Sequence, residues 1–256
     1  MTSTDNNCPA NWNVRRVLET GSTNTDLYAD ALVGAPSHSA LMADNQTAGR
    51  GRLDRTWEAK PGTNLLVSLL FRSEPEMLKS WPRIVAIAAV RACEEFISQN
   101  KSKSQSLEQV KLKWPNDLLL GDRKLGGMLS VGDQHKQFIV VGIGVNIGWA
   151  PPEAAKLSDV ASEKCPQPVE FLNSMLQQIT KLENLSSADQ HQQYVKLLLT
   201  LGRQVRVELT NGTVVTGLAS ELDLDGRLIV IETDSQSTRH IIDTGDVVHL
   251  RNANHD

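Results

Sequence analysis

The stretch Lys111–Ser130 reads KLKWPNDLLLGDRKLGGMLS. Val110–Lys113 has the composition of the end of a strand. Pro115 has no amide hydrogen and cannot sit inside a central strand, so Trp114-Pro115-Asn116 is read as a turn. Asp117–Gly121 is a second short strand, Gly121-Asp122 a hairpin turn and Arg123–Val131 a third strand. Gly126-Gly127 weakens that third strand and marks a bulge, or a place where a ligand or another backbone comes close. The turn puts Asn116 and Asp117 at one end of a hairpin, with Lys124 following a few residues later. An isolated Asp-Arg-Lys turn is usually just a solvated hairpin tip, but the whole string is harder to dismiss.

Upstream of this hairpin, Asn13–Leu18 has the composition of an edge strand. Ser22-Thr23-Asn24 precedes an expected helix from about Asn24 to Val33, with Asp26 suited to its first turn. Ser22 or Thr23 would cap that helix, and the same hydroxyls and free amides can face an acceptor group. Ala40–Ala43 reads as a buried strand leading into Asp44–Trp57, which carries Gly49-Arg50-Gly51-Arg52 and then Arg55. Glycines beside arginines give a pliable backbone that closes over an anion while fixed cations meet it. A solvated loop and an RNA-binding run remain alternatives for that segment. Trp57 is its apolar anchor, or a wall for a ring.

Asn64–Phe71 is almost continuously apolar, as in a strand covered on both faces. Lys79–Gln99 is the longest expected helix, with Val85, Ala88, Ala89, Ala92 and Phe96 at helical spacing. Lys101–Glu108 is a polar loop. Phe138–Ile147 is a strand in which Gly142 and Gly144 alternate, leaving one face bare. That face suits either a closely packed helix or a flat floor for a planar ligand, with Asn146 offering directional hydrogen bonds. Pro151–Pro168 is an irregular linker. Two helices follow, striped by Leu172, Met175, Leu176, Ile179 and Leu182, then by Tyr194, Leu197, Leu198 and Leu201.

From Gly202 onward the texture changes. Five short strands are expected at Gln204–Leu209, Thr213–Glu221, Arg227–Glu232, Thr238–Ile242 and Val247–Leu250, with hairpin turns at Asn211-Gly212 and Asp225-Gly226. This is the signature of a small SH3-like barrel. The fold class is α+β: a mixed β-sheet domain backed by helices over residues 1–201, then a barrel domain over residues 202–256.

Composition narrows the function. The chain has 256 residues and a net charge of −4, which argues against a general polyanion-binding surface. Cys8, Cys93 and Cys165 have no CxxC spacing, in keeping with a reducing cytoplasm. No apolar run reaches membrane-spanning length, and the polar N-terminus does not read as a signal peptide. There is no P-loop, no full dinucleotide fingerprint, no HExxH, no Cys/His cluster and no GxSxG. No metal-ligating set is expected. What remains is cationic: Arg50, Arg52, Arg55 and Lys124 among glycines and amides. Such a set suits a reaction that brings anions together, such as carboxylate attack on the α-phosphate of ATP.

Lys111–Met128 resembles the KWPND…GRKLxGI signature of biotin protein ligases, with Asp122 in place of a glycine. Asn45–Trp57 is similar to that family's adenylate-binding loop and Gly142–Ile147 to its glycine–asparagine strand. The resemblance implies the biotin–lipoate ligase fold, akin to class II synthetases. It implies that biotin and ATP, with Mg²⁺, give biotinyl-5′-AMP, and that biotin passes to a lysine of a biotin carboxyl carrier domain. It implies that Ser22, Thr23, Asn24 and Gln46 bond the biotin head or its near chain. Arg50, Gly51 and Arg52 would close over carboxylate and phosphate. Lys124 would bridge the biotin carboxylate and the α-phosphate, and Asn116 and Asn146 would lie on the nucleotide side. Asp117 would meet the incoming lysine, and Trp57 and Trp114 would pack near the adenylate. Lys124, Arg52 and Asp117 are the expected catalytic residues. The winged helix-turn-helix of many members has no counterpart before Ser22, so no sequence-specific DNA binding is expected. Asp54 adds an acid to the basic loop. Two rivals are a lipoate or octanoate ligase and a non-enzymatic RNA-binding module.

Overall fold

The computed structural model describes residues 8–53, 55–99, 109–161, 165–233 and 237–249. Seven strands form one sheet: β1 (Asn13–Thr20), β2 (Ser39–Gln46), β3 (Leu65–Arg72), β4 (Val110–Lys113), β5 (Asp117–Leu120), β6 (Arg123–Asp133) and β7 (Phe138–Val145). Their spatial order is β1-β2-β3-β7-β6-β5-β4. Only β1 and β2 pair parallel, as a strand–helix–strand crossover through α1 (Thr23–Leu32) requires. The other pairs are antiparallel.

Side-chain alternation splits the sheet into two faces. Leu65, Val67, Leu69 and Phe71 of β3, with Val141, Ile143 and Val145 of β7, join the large core. That core is closed by α3 (Trp81–Gln99), α4 (Pro168–Leu182) and Tyr194 of α5 (Ser187–Leu197), while the single turn α2 (Pro75–Leu78) precedes α3. On the opposite face Leu70 and Val140 pack with Leu27 and Ala31 of α1. Beyond α1 that face carries Ser68, Gly142 and Gly144, and there the sheet stays open as a cleft. β3 is covered on both sides, which is why its sequence is continuously apolar.

The C-terminal strands β8 (Gln204–Glu208), β9 (Val214–Leu222), β10 (Leu228–Ile231), β11 (Arg239–Ile242) and β12 (Asp246–His249) form an antiparallel sheet in the order β11-β10-β9-β8-β12. β11 and β12 are its two edges, and no ladder joins them among the described residues. The expected barrel is thus a five-stranded sheet. Gly212 and Gly226 take the left-handed backbone that their hairpin turns need.

The two sheets are stitched together. Leu199 N–H donates to the Leu112 carbonyl at 2.8 Å, and Trp114 N–H to the buried Thr200 hydroxyl at 3.0 Å. Trp114 Nε1 donates to the Gly226 carbonyl at 3.0 Å, and Arg83 to the Leu224 carbonyl at 2.8 Å. The expected helix ends shift slightly: the second stripe leaves the helix at Leu197, and Leu198 bridges Leu112 instead. The 151–168 linker holds a 3₁₀ turn, Leu157–Asp159, whose Leu157 is fully buried. The expected 101–108 loop, Asp54 and Leu250 lie outside the described residues. No helix among those residues is long and apolar enough to cross a membrane.

Candidate active site

A cleft of about 400 Å³ opens on the bare face of the sheet, and Ser22, Thr23, Asn24, Gln46, Arg50, Gly51, Arg52, Asn116, Asp117, Lys124 and Asn146 all border it. The sequence therefore brings every expected site residue to one place.

The hairpin puts its charges on the cleft side by a bulge. Asp117 faces Gly127 and Leu118 faces Gly126, but Leu119 then faces Lys124 rather than Leu125. In a regular ladder Lys124 would share the face of Gly126, Leu118 and Leu120, which looks into the core. The extra residue turns Leu125 into the core, fully buried, and Lys124 onto the face of Asp117 and Gly127. Lys124 Nζ then lies 2.6 Å from Asp117 Oδ1 and over the Trp57 ring at 5.8 Å. Both glycines also have steric reasons. A Cβ on Gly126 would come within 2.8 Å of the Gly144 carbonyl, and one on Gly127 within 3.3 Å of Lys124 Nζ.

At the end near α1, Gln46 Oε1 accepts from Thr23 N–H at 2.8 Å and from the Thr23 hydroxyl at 3.0 Å. Gln46 therefore supplies the helix cap, and the Ser22 side chain makes no capping bond. The Thr23 hydroxyl also contacts the Ser68 hydroxyl at 2.9 Å. Asn24 Nδ2 donates to the Leu129 carbonyl at 3.0 Å. A Cβ on Gly142 would stand 2.7 Å from Asn24 Nδ2. Here the bare strand face receives a helix side chain.

At the other end the bare face receives Trp57. A Cβ on Gly144 would fall 2.5–2.7 Å from three atoms of its indole. The buried indole Nε1 has no hydrogen-bond partner among the described residues, an arrangement that costs stability unless a ligand or water meets it. The flat floor anticipated from Gly142 and Gly144 is thus lined by Asn24 and Trp57. Trp114 is buried and bonded to Thr200 and Gly226.

The arginine loop folds back on itself. Gly51 N–H donates to the Arg55 carbonyl at 2.6 Å, and Trp57 N–H to the Gly49 carbonyl at 3.0 Å. Arg50 bridges Thr56 through its backbone, with its side chain exposed. Arg52 Nη1 donates to Asn116 Oδ1 at 3.3 Å and to the Gly245 carbonyl at 3.2 Å, while Nη2 donates to the Thr244 hydroxyl at 2.7 Å. Arg55 pairs with Asp246. Burial pulls the Arg52 guanidinium below its ordinary value, opposed by Asp246 and Asp117, yet it stays charged at neutral pH. Asn116 Nδ2 donates to the Met128 carbonyl at 2.7 Å. Asn146 is 2% exposed and its amide is bonded inside the wall, to the Ala155 carbonyl at 3.0 Å and to Asn64 at 3.4 Å.

Sequence reasoning missed Thr244, Gly245 and Asp246. An Asp-Thr-Gly-Asp turn between two edge strands carries no local sign that it reaches a loop 192 residues earlier. Among the described residues no cluster of three or more His, Cys, Asp or Glu side chains could hold a metal ion.

A cleft with two lysines, three arginines and a glycine floor can hold two anions side by side and stabilise a third as it leaves. Comparison with known proteins agrees in kind. Residues 19–146 match the biotin/lipoate A/B protein ligase family, and residues 200–250 match the biotin protein ligase C-terminal domain. The biotin–[acetyl-CoA-carboxylase] ligase of Mycobacterium tuberculosis is 34% identical over 92% of this chain and 88% of its own length. A biotin protein ligase from Aquifex aeolicus, solved with biotin and ATP, aligns with a TM-score of 0.73 at 26% identity, over 94% of this chain and 99% of that one. A mutant biotin protein ligase from the same organism, solved with biotin, aligns with a TM-score of 0.75 at 25% identity, over 93% of this chain and 99% of that one.

Proposed function

The chain belongs to the biotin/lipoate A/B protein ligase family, on its biotin protein ligase side, and from that premise we infer how the cleft works. Biotin is activated by ATP as biotinyl-5′-AMP, and biotin is then passed to a lysine of a biotin carboxyl carrier domain, as in a carboxylase. The observation that carries this reading is the Lys124–Asp117 pair at 2.6 Å between the arginine loop and the glycine floor.

In the first step a biotin carboxylate oxygen attacks the α-phosphorus of ATP. The bond from that phosphorus to the bridging oxygen breaks, and pyrophosphate leaves with the electron pair. Both reactants are anions. Lys124 is placed to bridge them, and Arg52, with Arg50 at the rim, to offset the charge on the phosphates. Ser22, Thr23, Asn24 and Gln46 would hold the biotin end, because their hydroxyls and amides gather beside the Gly142 gap. Trp57 would face the nucleotide ring. Asn116 orients Arg52, and Asn146 shapes the wall by holding Ala155. Mg²⁺ would ride on the nucleotide phosphates with its waters, which needs no protein cage. It would neutralise phosphate charge when bound.

In the second step the acceptor lysine must lose a proton before its nitrogen attacks the anhydride carbonyl and AMP departs. Asp117 is the carboxylate at the mouth and takes that proton. We place the boundary between the two functional parts at 201/202, with the C-terminal sheet completing the cleft. The test is production of biotinyl-adenylate from biotin and Mg-ATP, with lipoate and octanoate as competitors. Competition by lipoate at biotin-like concentrations would move the substrate to the sister branch of the family.

A further inference from the structure

The cationic loop is anchored from the C-terminal sheet. Of the three acceptors that bind the terminal nitrogens of Arg52, two lie on the turn between β11 and β12: the Thr244 hydroxyl and the Gly245 carbonyl. The next residue, Asp246, pairs with Arg55. That turn is itself fixed. Asp246 is in register with Glu208 on β8, and a Cβ on Gly245 would stand 2.6 Å from Val207 Cγ1 and 3.1 Å from the Glu208 carbonyl. The loop by contrast is built from Gly49, Gly51 and hydrogen bonds to itself.

We propose that the turn Asp243–Asp246 is a positioning latch: through Thr244, Gly245 and Asp246 it holds Arg52 and Arg55, and so keeps the loop closed over the cleft. The proposal rests on the reading of Arg52 given above. Asp246 also borders the cleft, but all three residues are engaged with the two arginines, so they position the cations. Magnitudes make the latch releasable. The Arg55–Asp246 pair is 63% and 40% exposed, so it is screened and weak. The half-buried Arg52 bonds are charge-assisted and stronger. Ligands can thus pass the Arg55 end while Arg52 stays aligned. The docking of the C-terminal sheet thereby becomes part of adenylate formation, through the arginines it holds.

The experiment compares wild type with a Thr244→Val/Asp246→Asn double variant. It reads biotinyl-adenylate formation, melting temperature and tryptic cleavage after Arg50, Arg52 and Arg55 without ligand. The double variant is expected to lose about tenfold in kcat/KM for ATP, to be cut in the loop several times faster and to melt where wild type does. A charge-swapped Arg55→Asp/Asp246→Arg protein should regain slow cleavage after Arg50 and Arg52, the two loop sites that every variant keeps, which a merely structural role for Asp246 would not give. If the double variant melts early, Asp246→Asn alone and the swapped pair decide by the same cleavage readout. Adenylate formation and cleavage both equal to wild type would overturn the latch and leave the ligase reading intact. If wild type makes no adenylate, the ligase reading falls, and cleavage alone judges the latch: equal rates overturn it and faster cutting of the variant supports it.

Discussion

Asp117 and Lys124 face each other across a bulged hairpin, with Oδ1 and Nζ 2.6 Å apart. The pair has two consequences. It holds Lys124 upright over Trp57, and it fixes a carboxylate beside the cleft. Replacing Asp117 by Asn keeps the shape and removes the base. Biotinyl-adenylate formation should then change only a few-fold, while transfer to an acceptor lysine slows by about a hundredfold. Single-turnover assays of the two half-reactions measure this split. Equal losses in both would remove the proton-accepting role.

Gly142 and Gly144 lie two residues apart on one strand face, and a Cβ added to each would meet a different partner: Asn24 at 2.7 Å and the Trp57 indole at 2.5 Å. Alanine at each should therefore injure different substrates. Gly142→Ala should raise KM for biotin by about tenfold and Gly144→Ala KM for ATP by a similar factor, since misplacement of this size costs binding geometry steeply. Steady-state kinetics with each substrate varied in turn would check it. Reversed or identical effects would contradict the division of the floor.

Much of this was legible in the chain. The continuous apolar run of β3 and the hairpin at 117–131 announced the sheet. The paired glycines pointed to a bulge or a close approach: the bulge falls beside them at Leu125, Gly126 lies close against the Gly144 carbonyl, and only the register reveals that the bulge turns Lys124 onto the cleft face. The arginine loop was also open to readings as a solvated loop or an RNA-binding run. Those readings give way because the chain belongs to an enzyme family and Arg52 and Arg55 are engaged by the C-terminal turn. Ser22 does occupy the N-cap position, but its side chain makes no capping bond, because Gln46, on the next strand, accepts from Thr23 N–H. Contacts of this kind join residues far apart in sequence, and no local pattern encodes them. The same holds for Thr200 and for the 243–246 turn.

Thr200 is fully buried and its hydroxyl accepts from Trp114 N–H at 3.0 Å while contacting His249 Nε2 at 3.2 Å. Thr200→Val leaves that amide buried without a partner. A loss of about 1–3 kcal/mol in unfolding free energy is expected, measured by urea denaturation. An unchanged midpoint would show that the amide finds another acceptor.

His249 is pushed down to about 4 from 6.5 by burial and by the nearby Lys113 and Arg203 charges, with Asp122 opposing. The native ring is neutral where the unfolded chain would already take up a proton. Its contribution to stability is present above about pH 6.5 and is lost as pH falls toward about 4. Because the ring is only half-buried, the effect is on the order of 1 kcal/mol after screening. His249→Gln, which can still accept from Thr200, should flatten the acid side of a melting-temperature profile between those pH values. A profile identical to wild type would assign the acid sensitivity elsewhere.

The central claim is that Lys124 joins a carboxylate to the α-phosphate of ATP. The most direct measurement is mass-spectrometric detection of biotinyl-adenylate and pyrophosphate from wild-type protein and from Lys124→Ala, each with biotin and Mg-ATP. Product with wild type and a loss of about a hundredfold or more in the variant is predicted. Equal product from both would contradict it.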